Sequence, residues 1–153
     1  MESELLLIVE DNDRLRKFMA SSLEKAGYQE VSASSGKEAF AILKTEYLDL
    51  VLLDLHLGDL DGLEILKTIR RQDEDLPIII VSSITDQDTK VGGFEIGCDD
   101  YITKPFYVEE LLGRVKRLLS RSRKRYIKDT GNTVAEKIYS GPFEIDLNLL
   151  KII

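Results

Sequence analysis

DLVLLD, residues 49–54, sets four apolar residues between two acids and ends on Asp54. LLLIV, residues 5–9, is closed in the same way by Glu10 and Asp11. Two apolar runs that each end in acid suggest parallel central strands whose carboxyl ends open onto a crevice, the usual ligand position in an open α/β sheet. Three carboxylates sharing that crevice need a cation. A third candidate strand, Asp100 to Thr103, is followed by Lys104 and Pro105, which can place a cationic partner at the same sheet edge. Alone, Asp54 also fits a strand-end or helix-capping acid, and Lys104 a solvated loop residue. It is their conjunction that points to one site.

Around these runs the chain alternates strand-like and helix-like stretches from residue 5 to about residue 120, the α/β pattern. Strands are expected at Leu5–Val9, Glu30–Ala33, Leu50–Leu53, Ile78–Val81 and Tyr101–Ile102, and helices near 13–26, 36–46, 62–72, 87–96 and 107–121. The helices rest on recurring apolar positions such as Leu15, Phe18, Met19, Leu23 and Ala26 in the first, and Ala39, Phe40, Leu43 and Tyr47 in the second. Gly27 can stop the first helix, while Ser34 or Ser35 can cap the second and Asp61 the third. Pro77 sits at a strand entrance, where its missing donor is tolerated.

A length of 153 residues suffices for one compact domain with a sizeable core. With 28 acidic residues against 21 basic ones and a formal charge of -7, the whole surface has no general attraction for nucleic acid or anionic membrane, leaving only a local basic face. The single cysteine, Cys98, cannot make an internal disulfide, and with no neighbouring histidine or second cysteine it reads as structural. The start MESELLLIVEDND has neither a cationic leader nor a long apolar segment. A soluble, reducing, cytoplasmic setting without membrane insertion is therefore expected. Arg121, Arg123, Lys124, Arg125 and Lys128 cluster where periodicity fades, which reads as a helix end passing into a linker, with nucleic-acid contact as the alternative. The final PFEIDLNLLKII alternates Phe143, Ile145, Leu147 and Leu149 like a strand that needs another surface to cover it.

The acidic pair Glu10 and Asp11, the central Asp54, the hydroxyl of Ser82, the aromatic Tyr101 and the Lys104–Pro105 pair make the first 120 residues resemble the receiver domain of a bacterial two-component response regulator. VGGFEIGCDDYITKPF, residues 91–106, with the charged helix of Glu110, Arg114 and Arg117 behind it, is similar to the subfamily whose receivers control winged-helix transcription factors. The resemblance implies a flavodoxin-like (βα)5 doubly wound parallel sheet of order 2-1-3-4-5. It divides the chain into a receiver over 1–121, a linker over 122–140 and the start of a truncated winged-helix effector domain over 141–153. The DNA-reading helix is absent from this chain, so DNA would be met only through the missing part. A fragment cut shortly after the second domain begins is the expectation, and a naturally short protein the alternative.

The same resemblance implies a chemistry. Asp54 would attack a phosphoryl group carried by a histidine of a sensor kinase, forming a phospho-aspartate, with Mg²⁺ neutralising the attacking carboxylate and the transferring oxygens. Asp11 and Asp54 are the expected direct ligands, Glu10 acts directly or through water, and the backbone carbonyl of His56 supplies another oxygen, a set that suits Mg²⁺. The side chain of His56, the one histidine, is then a matter of loop placement, with an influence on acyl-phosphate hydrolysis as the alternative. Lys104 would lend a point charge to a phosphoryl oxygen and Ser82 a hydroxyl. Drawing Ser82 toward phosphate would make room for Tyr101 to shift inward, a two-state switch. Without the resemblance, Ser82 is a strand-end cap and Tyr101 a surface aromatic. Such a chain is a phosphoryl acceptor that phosphorylates and dephosphorylates itself, rather than an enzyme acting on external substrates.

The implied output face is the fourth helix, fifth strand and fifth helix, where Lys90, Glu95, Asp99, Asp100, Glu110, Arg114 and Arg117 offer both signs of charge to a symmetric homodimer. An ordinary solvated surface, with intrahelical pairs such as Glu110–Arg114, is the alternative. Two departures from the family stand out. Gly58 in DLHLGDLDG takes the place of the usual proline, so Gly58, Asp59 and Gly62 are expected to leave that loop less restrained. The Gly92–Gly93 pair is expected to weaken the fourth helix by about 1 kcal/mol per glycine relative to alanine, unless packing compensates. Beside the leading reading, a phosphorylation-controlled transcriptional receiver, stand a phosphorylation-independent receiver acting as a protein-interaction module and a metal-dependent phosphatase, which leaves the switch residues and output face unexplained.

Overall fold

Five strands pair in parallel throughout, in the order β2-β1-β3-β4-β5. The computed structural model describes residues 3–130 and Phe143, with the side chains of 123–130 left aside. Chain order is β1 (Leu5–Val9), α1 (Asp13–Lys25), β2 (Gln29–Ala33), α2 (Gly36–Thr45), β3 (Leu50–Leu53), α3 (Gly62–Gln72), β4 (Ile78–Ser82), α4 (Gln87–Ile96), β5 (Asp100–Thr103) and α5 (Val108–Thr130). The expected flavodoxin-like order is thus the observed one.

Side-chain alternation along the strands builds two apolar layers. Leu7, Val9, Val51, Leu53, Ile78 and Ile80 face one way, onto Phe40 and Leu43 of α2 and Ile65, Leu66 and Ile69 of α3. Leu6, Ile8, Leu50, Leu52, Ile79 and Val81 face the other, onto Met19 and Leu23 of α1 and Leu111, Val115 and Leu118 of α5. Burial on both faces explains why β3 and β4 read as unbroken apolar runs, and each such side chain contributes about 1.5–3 kcal/mol on burial. Helix starts follow from local chemistry. Asn12, Ser35, Asp61 and Asp86 each accept a backbone N–H from the first turn of α1, α2, α3 and α4 respectively.

The last helix departs from expectation, running to Thr130 instead of ending near residue 121. Arg and Lys are good helix formers, and no proline or glycine lies between Gly113 and Gly131. Fading periodicity there does not mark a helix that stops. The remaining expected linker, 131–140, lies outside the described residues, as does the expected strand of 141–153 apart from Phe143. Among the described residues no helix is long and apolar enough to cross a membrane. Cys98 is buried, and burial, with the charge of Asp99 adding to it, pushes its thiol up to about 12, which suits a structural role.

Candidate functional site

Backbone ladders deliver the key groups to one end of the sheet. Glu10 follows β1 with its N–H on the Ala33 carbonyl at 3.0 Å, Asp54 follows β3 with its N–H on Val9 at 2.9 Å, and Lys104 follows β5 with its N–H on Ser82 at 2.9 Å. Carboxylate oxygens of Glu10, Asp11 and Asp54 come within 4.8 Å of one another. Glu10 is only 1% exposed and Asp54 is also buried, whereas Asp11 lies at the mouth. The Lys104 ammonium donates to Glu10 Oε1 at 2.5 Å and to Asp54 Oδ2 at 3.2 Å.

These contacts shape the charge. Burial pushes the Glu10 carboxyl up to about 7, the Lys104 and Asn12 hydrogen bonds pull against it, and the neighbouring Asp54 charge raises it further. Lys104 loses basicity to burial, but the Glu10 hydrogen bond and the Asp54 and Glu10 charges outweigh that loss and hold it above the usual lysine range. One ammonium thus serves two buried acids while a third stands close by. Like charges so near one another favour a cation, and an all-oxygen donor set suits a hard divalent ion. The backbone N–H of His56 donates to Asp54 Oδ1 at 3.3 Å, and the His56 side chain is exposed.

Two residues absent from the sequence reading hold Glu10. The Asn12 N–H donates to Glu10 Oε2 at 3.1 Å, and Arg16 Nη1 donates to the Glu10 carbonyl at 2.9 Å. Asn12 could have been found as the cap of α1. Arg16, one turn further on, carries no local signal.

The loop between β3 and α3 is not the loosely held segment that its glycines suggest. Gly58 adopts φ +82°, a conformation that glycine takes without strain. The turn aims Asp59 at the start of α2, where its carboxylate accepts the N–H of Gly36 at 2.9 Å and of Lys37 at 3.0 Å. Burial pushes the Asp59 carboxyl up, but these donors outweigh it and leave it below the usual range. Gly62 donates to the Leu55 carbonyl, and a β-carbon there would stand 2.4 Å from the Asp54 carbonyl oxygen. Asp59 therefore restrains the loop across 23 residues of sequence.

Ser82 closes β4 fully buried, its hydroxyl accepting the Ile84 N–H at 3.2 Å. Tyr101 is buried beside it and donates its hydroxyl to the Ile84 carbonyl at 2.8 Å. Burial raises the Tyr101 phenol above its ordinary value, with the Ser82 hydrogen bond opposing. Lys90 of α4 stands 5.2 Å from the Tyr101 ring centroid, within cation–π range. The expected switch pair and α4 thus meet at one loop.

On the α4–β5–α5 face, Asp100 is the hub. Arg114 Nη1 reaches both Asp100 oxygens at 2.8 and 2.7 Å, Arg117 Nη2 bonds Oδ2 at 3.1 Å, and Glu110 lies 3.4 Å from Arg114 Nε. Asp99 instead takes Arg70 of α3 at 3.0 Å and the Ile78 N–H at 2.8 Å. Glu95 is exposed and enters none of these pairs. Arg70 carries no signal for this role in the sequence: besides the nearby Asp73 carbonyl, its partners Asp99 and the Gly97 carbonyl are distant along the chain. Val91 and Phe94 add exposed apolar surface to α4. On the other side of Lys104, Leu15 and Phe18 of α1 line an open groove of about 390 Å³ with Ser83, Pro105 and Phe106.

Over residues 6–116 the chain matches the response regulator receiver domain. It is 40% identical over 117 residues to the alkaline phosphatase synthesis transcriptional regulatory protein PhoP of Bacillus subtilis, across 76% of this chain and 49% of that protein. To the probable transcriptional regulator ycf27 of Cyanophora paradoxa it is 34% identical over 143 residues, across 94% of this chain and 59% of that protein. A CheY-like response regulator receiver domain protein from Methanospirillum hungatei has the same fold, with a TM-score of 0.78 at 27% identity over 81% of this chain and 99% of that one. The chain spans about half the length of the curated relatives it matches.

Proposed function

The chain belongs to the response regulator receiver family of two-component systems, and from that premise we propose that Asp54 accepts a phosphoryl group from a histidine of a sensor kinase in the presence of Mg²⁺. The observation that carries this reading is Lys104 bridging Glu10 and Asp54 beside the exposed Asp11. Glu10, Asp11 and Asp54 would hold the ion with the His56 carbonyl, and bound Mg²⁺ supplies charge neutralisation for attack by one anion on another.

An Asp54 carboxylate oxygen forms the new bond to phosphorus as the bond to the donor imidazole nitrogen breaks, and the imidazole leaves with that electron pair. Lys104, freed in part from the two acids, turns its ammonium to a phosphoryl oxygen, and the Ser82 hydroxyl supplies a second contact. Main-chain restraint of Asp54, through Val9 behind it and the Asp59 clamp ahead of it, keeps the acceptor oriented. The apolar groove beside Lys104 offers a protein donor a surface to lie on.

Engaging Ser82 changes its bond to Ile84, the residue whose carbonyl holds Tyr101. Acceptor chemistry is thereby passed to Lys90 and α4. The α4–β5–α5 face then pairs two receivers, exchanging the Asp100–Arg114 and Asp100–Arg117 contacts within one chain for contacts between two. Control of transcription, through DNA held by a part of the protein beyond this chain, accords with the names of the relatives.

Intact mass and solution size after exposure to a small phosphoryl donor test the proposal. A magnesium-dependent gain of one phosphoryl group that disappears in Asp54→Ala, together with dimerisation, is expected. Unmodified protein that changes size with another partner would shift the reading to a phosphorylation-independent interaction module.

A further inference from the structure

We infer that the corner where α2 hands over to β3 is the docking seat for this chain's own segment after α5, with Phe143 as the anchor. The seat is distinct from the proposed α4–β5–α5 dimer face. Phe143 lies far along the sequence from the five-stranded domain, yet it is 4% exposed and joins the apolar layer that includes Phe40, Leu43 and Leu48. Its N–H donates to the Leu43 carbonyl at 2.8 Å. Leu43 belongs to the last turn of α2, where carbonyl groups lack partners within the helix and must find them elsewhere. An anchor that combines a buried ring with a main-chain bond to an orphan carbonyl has both the apolar and the directional components of a docking contact.

Topology makes the contact informative. All five strands run in parallel, so each helix descends from the end of the sheet that carries Asp54 toward the opposite end. The first turn of α2 is clamped by Asp59 of the acceptor loop, and its last turn holds Phe143. α5 belongs to the other layer, with α1, so α5 and Phe143 pack on opposite faces of the sheet. The stretch from Thr130 to Phe143 spans up to roughly 45 Å when extended, more than the roughly 30 Å diameter of a small domain. The chain can therefore reach its own seat without a second copy.

Amide hydrogen exchange of the full 153-residue chain tests the inference without any phosphoryl donor, so its outcome is independent of the acceptor chemistry. The Phe143 amide is expected to be protected to the same degree at high and low protein concentration. Phe143→Ala is expected to speed exchange at residues 143–145 by about tenfold or more, the factor that corresponds to losing part of a buried side chain, while Phe143→Leu retains most of the protection. Free-peptide exchange at Phe143 in the unsubstituted chain would overturn the inference. So would protection that disappears on dilution, since the donor would then be a second copy, or protection unchanged in Phe143→Ala.

Discussion

The loop after β3 and the helix after β4 are neighbours at the same end of the sheet, and they are held in opposite ways. The β3–α3 loop buries Leu55 and Leu57 and is rich in directed bonds: Asp59 takes two N–H groups of α2, Gly62 sits against the Asp54 carbonyl, and α3 then buries Ile65, Leu66 and Ile69. α4 buries only Gly93 among its residues and exposes Val91 and Phe94. Beyond partly buried Ile96 at its end, its ties include single contacts, Lys90 over Tyr101 and the Arg70 bond to the Gly97 carbonyl. A firmly held acceptor beside a lightly held helix is the arrangement in which a local change at one can move the other, because elements with few buried contacts open at the lowest free energy.

The largest expected effect concerns charge at the firm end. A carboxyl whose folded pKa stands at about 7 rather than 4.5 keeps its proton in the fold after the unfolded chain has released it. Stability of the metal-free protein should therefore fall as pH rises from about 4.5 to about 7, at up to about 1.4 kcal/mol per pH unit. Denaturant titrations across that window, with and without Mg²⁺, check this. Mg²⁺ should flatten the slope, and a flat metal-free profile would remove the buried-acid account of Glu10.

Gly62→Ala comes next. The new β-carbon would meet two backbone atoms, the Asp54 carbonyl oxygen at 2.4 Å and Leu55 Cα at 2.6 Å, so a loss of about 1–3 kcal/mol is expected in thermal or denaturant unfolding. Asp59→Ala leaves the Ser35 cap in place but takes the acceptor from two first-turn N–H groups of α2, and should cost about 1–2 kcal/mol, with faster amide exchange at Gly36 and Lys37. An unchanged exchange rate there would return the loop to the loosely held class. The smallest effect is expected on the other side of the comparison. Gly92→Ala meets nothing within 4 Å and should stabilise α4 by up to about 1 kcal/mol, seen as slower exchange in 87–96. Its neighbour will not tolerate the same change as easily, because a β-carbon at Gly93 would stand 3.0 Å from Ile80 Cδ1. The glycine pair thus combines one packing requirement with one unsupported position.

Legibility in the sequence followed the range of the interaction. Apolar runs ended by acid mark β1 and β3, and short-range signals narrow the cap of α2 to Ser34 or Ser35, of which the structure uses Ser35, and place Asp61 as the cap of α3. The length of α5 is not legible in the sequence, because apolar periodicity fades after residue 121 while the residue types remain good helix formers. Gly58 and Asp59 suggest a slack loop by residue type alone, because the partners of Asp59 lie 22 and 23 residues away. Arg70–Asp99 and Asp100–Arg114 join different elements, so no spacing rule reveals them.

By itself the sequence determined the alternation of strands and helices, the central position of β3 and the residue types that end β1, β3 and β5, since these follow from burial patterns and chain order. Tertiary structure alone decided which of those groups meet: that Lys104 serves Glu10 and Asp54 together, that Asp59 secures the acceptor loop to α2, that Tyr101 is held through Ile84, and that Phe143 returns to Leu43. Each depends on distances through space, and these are set only once the sheet has been ordered and both faces have been packed.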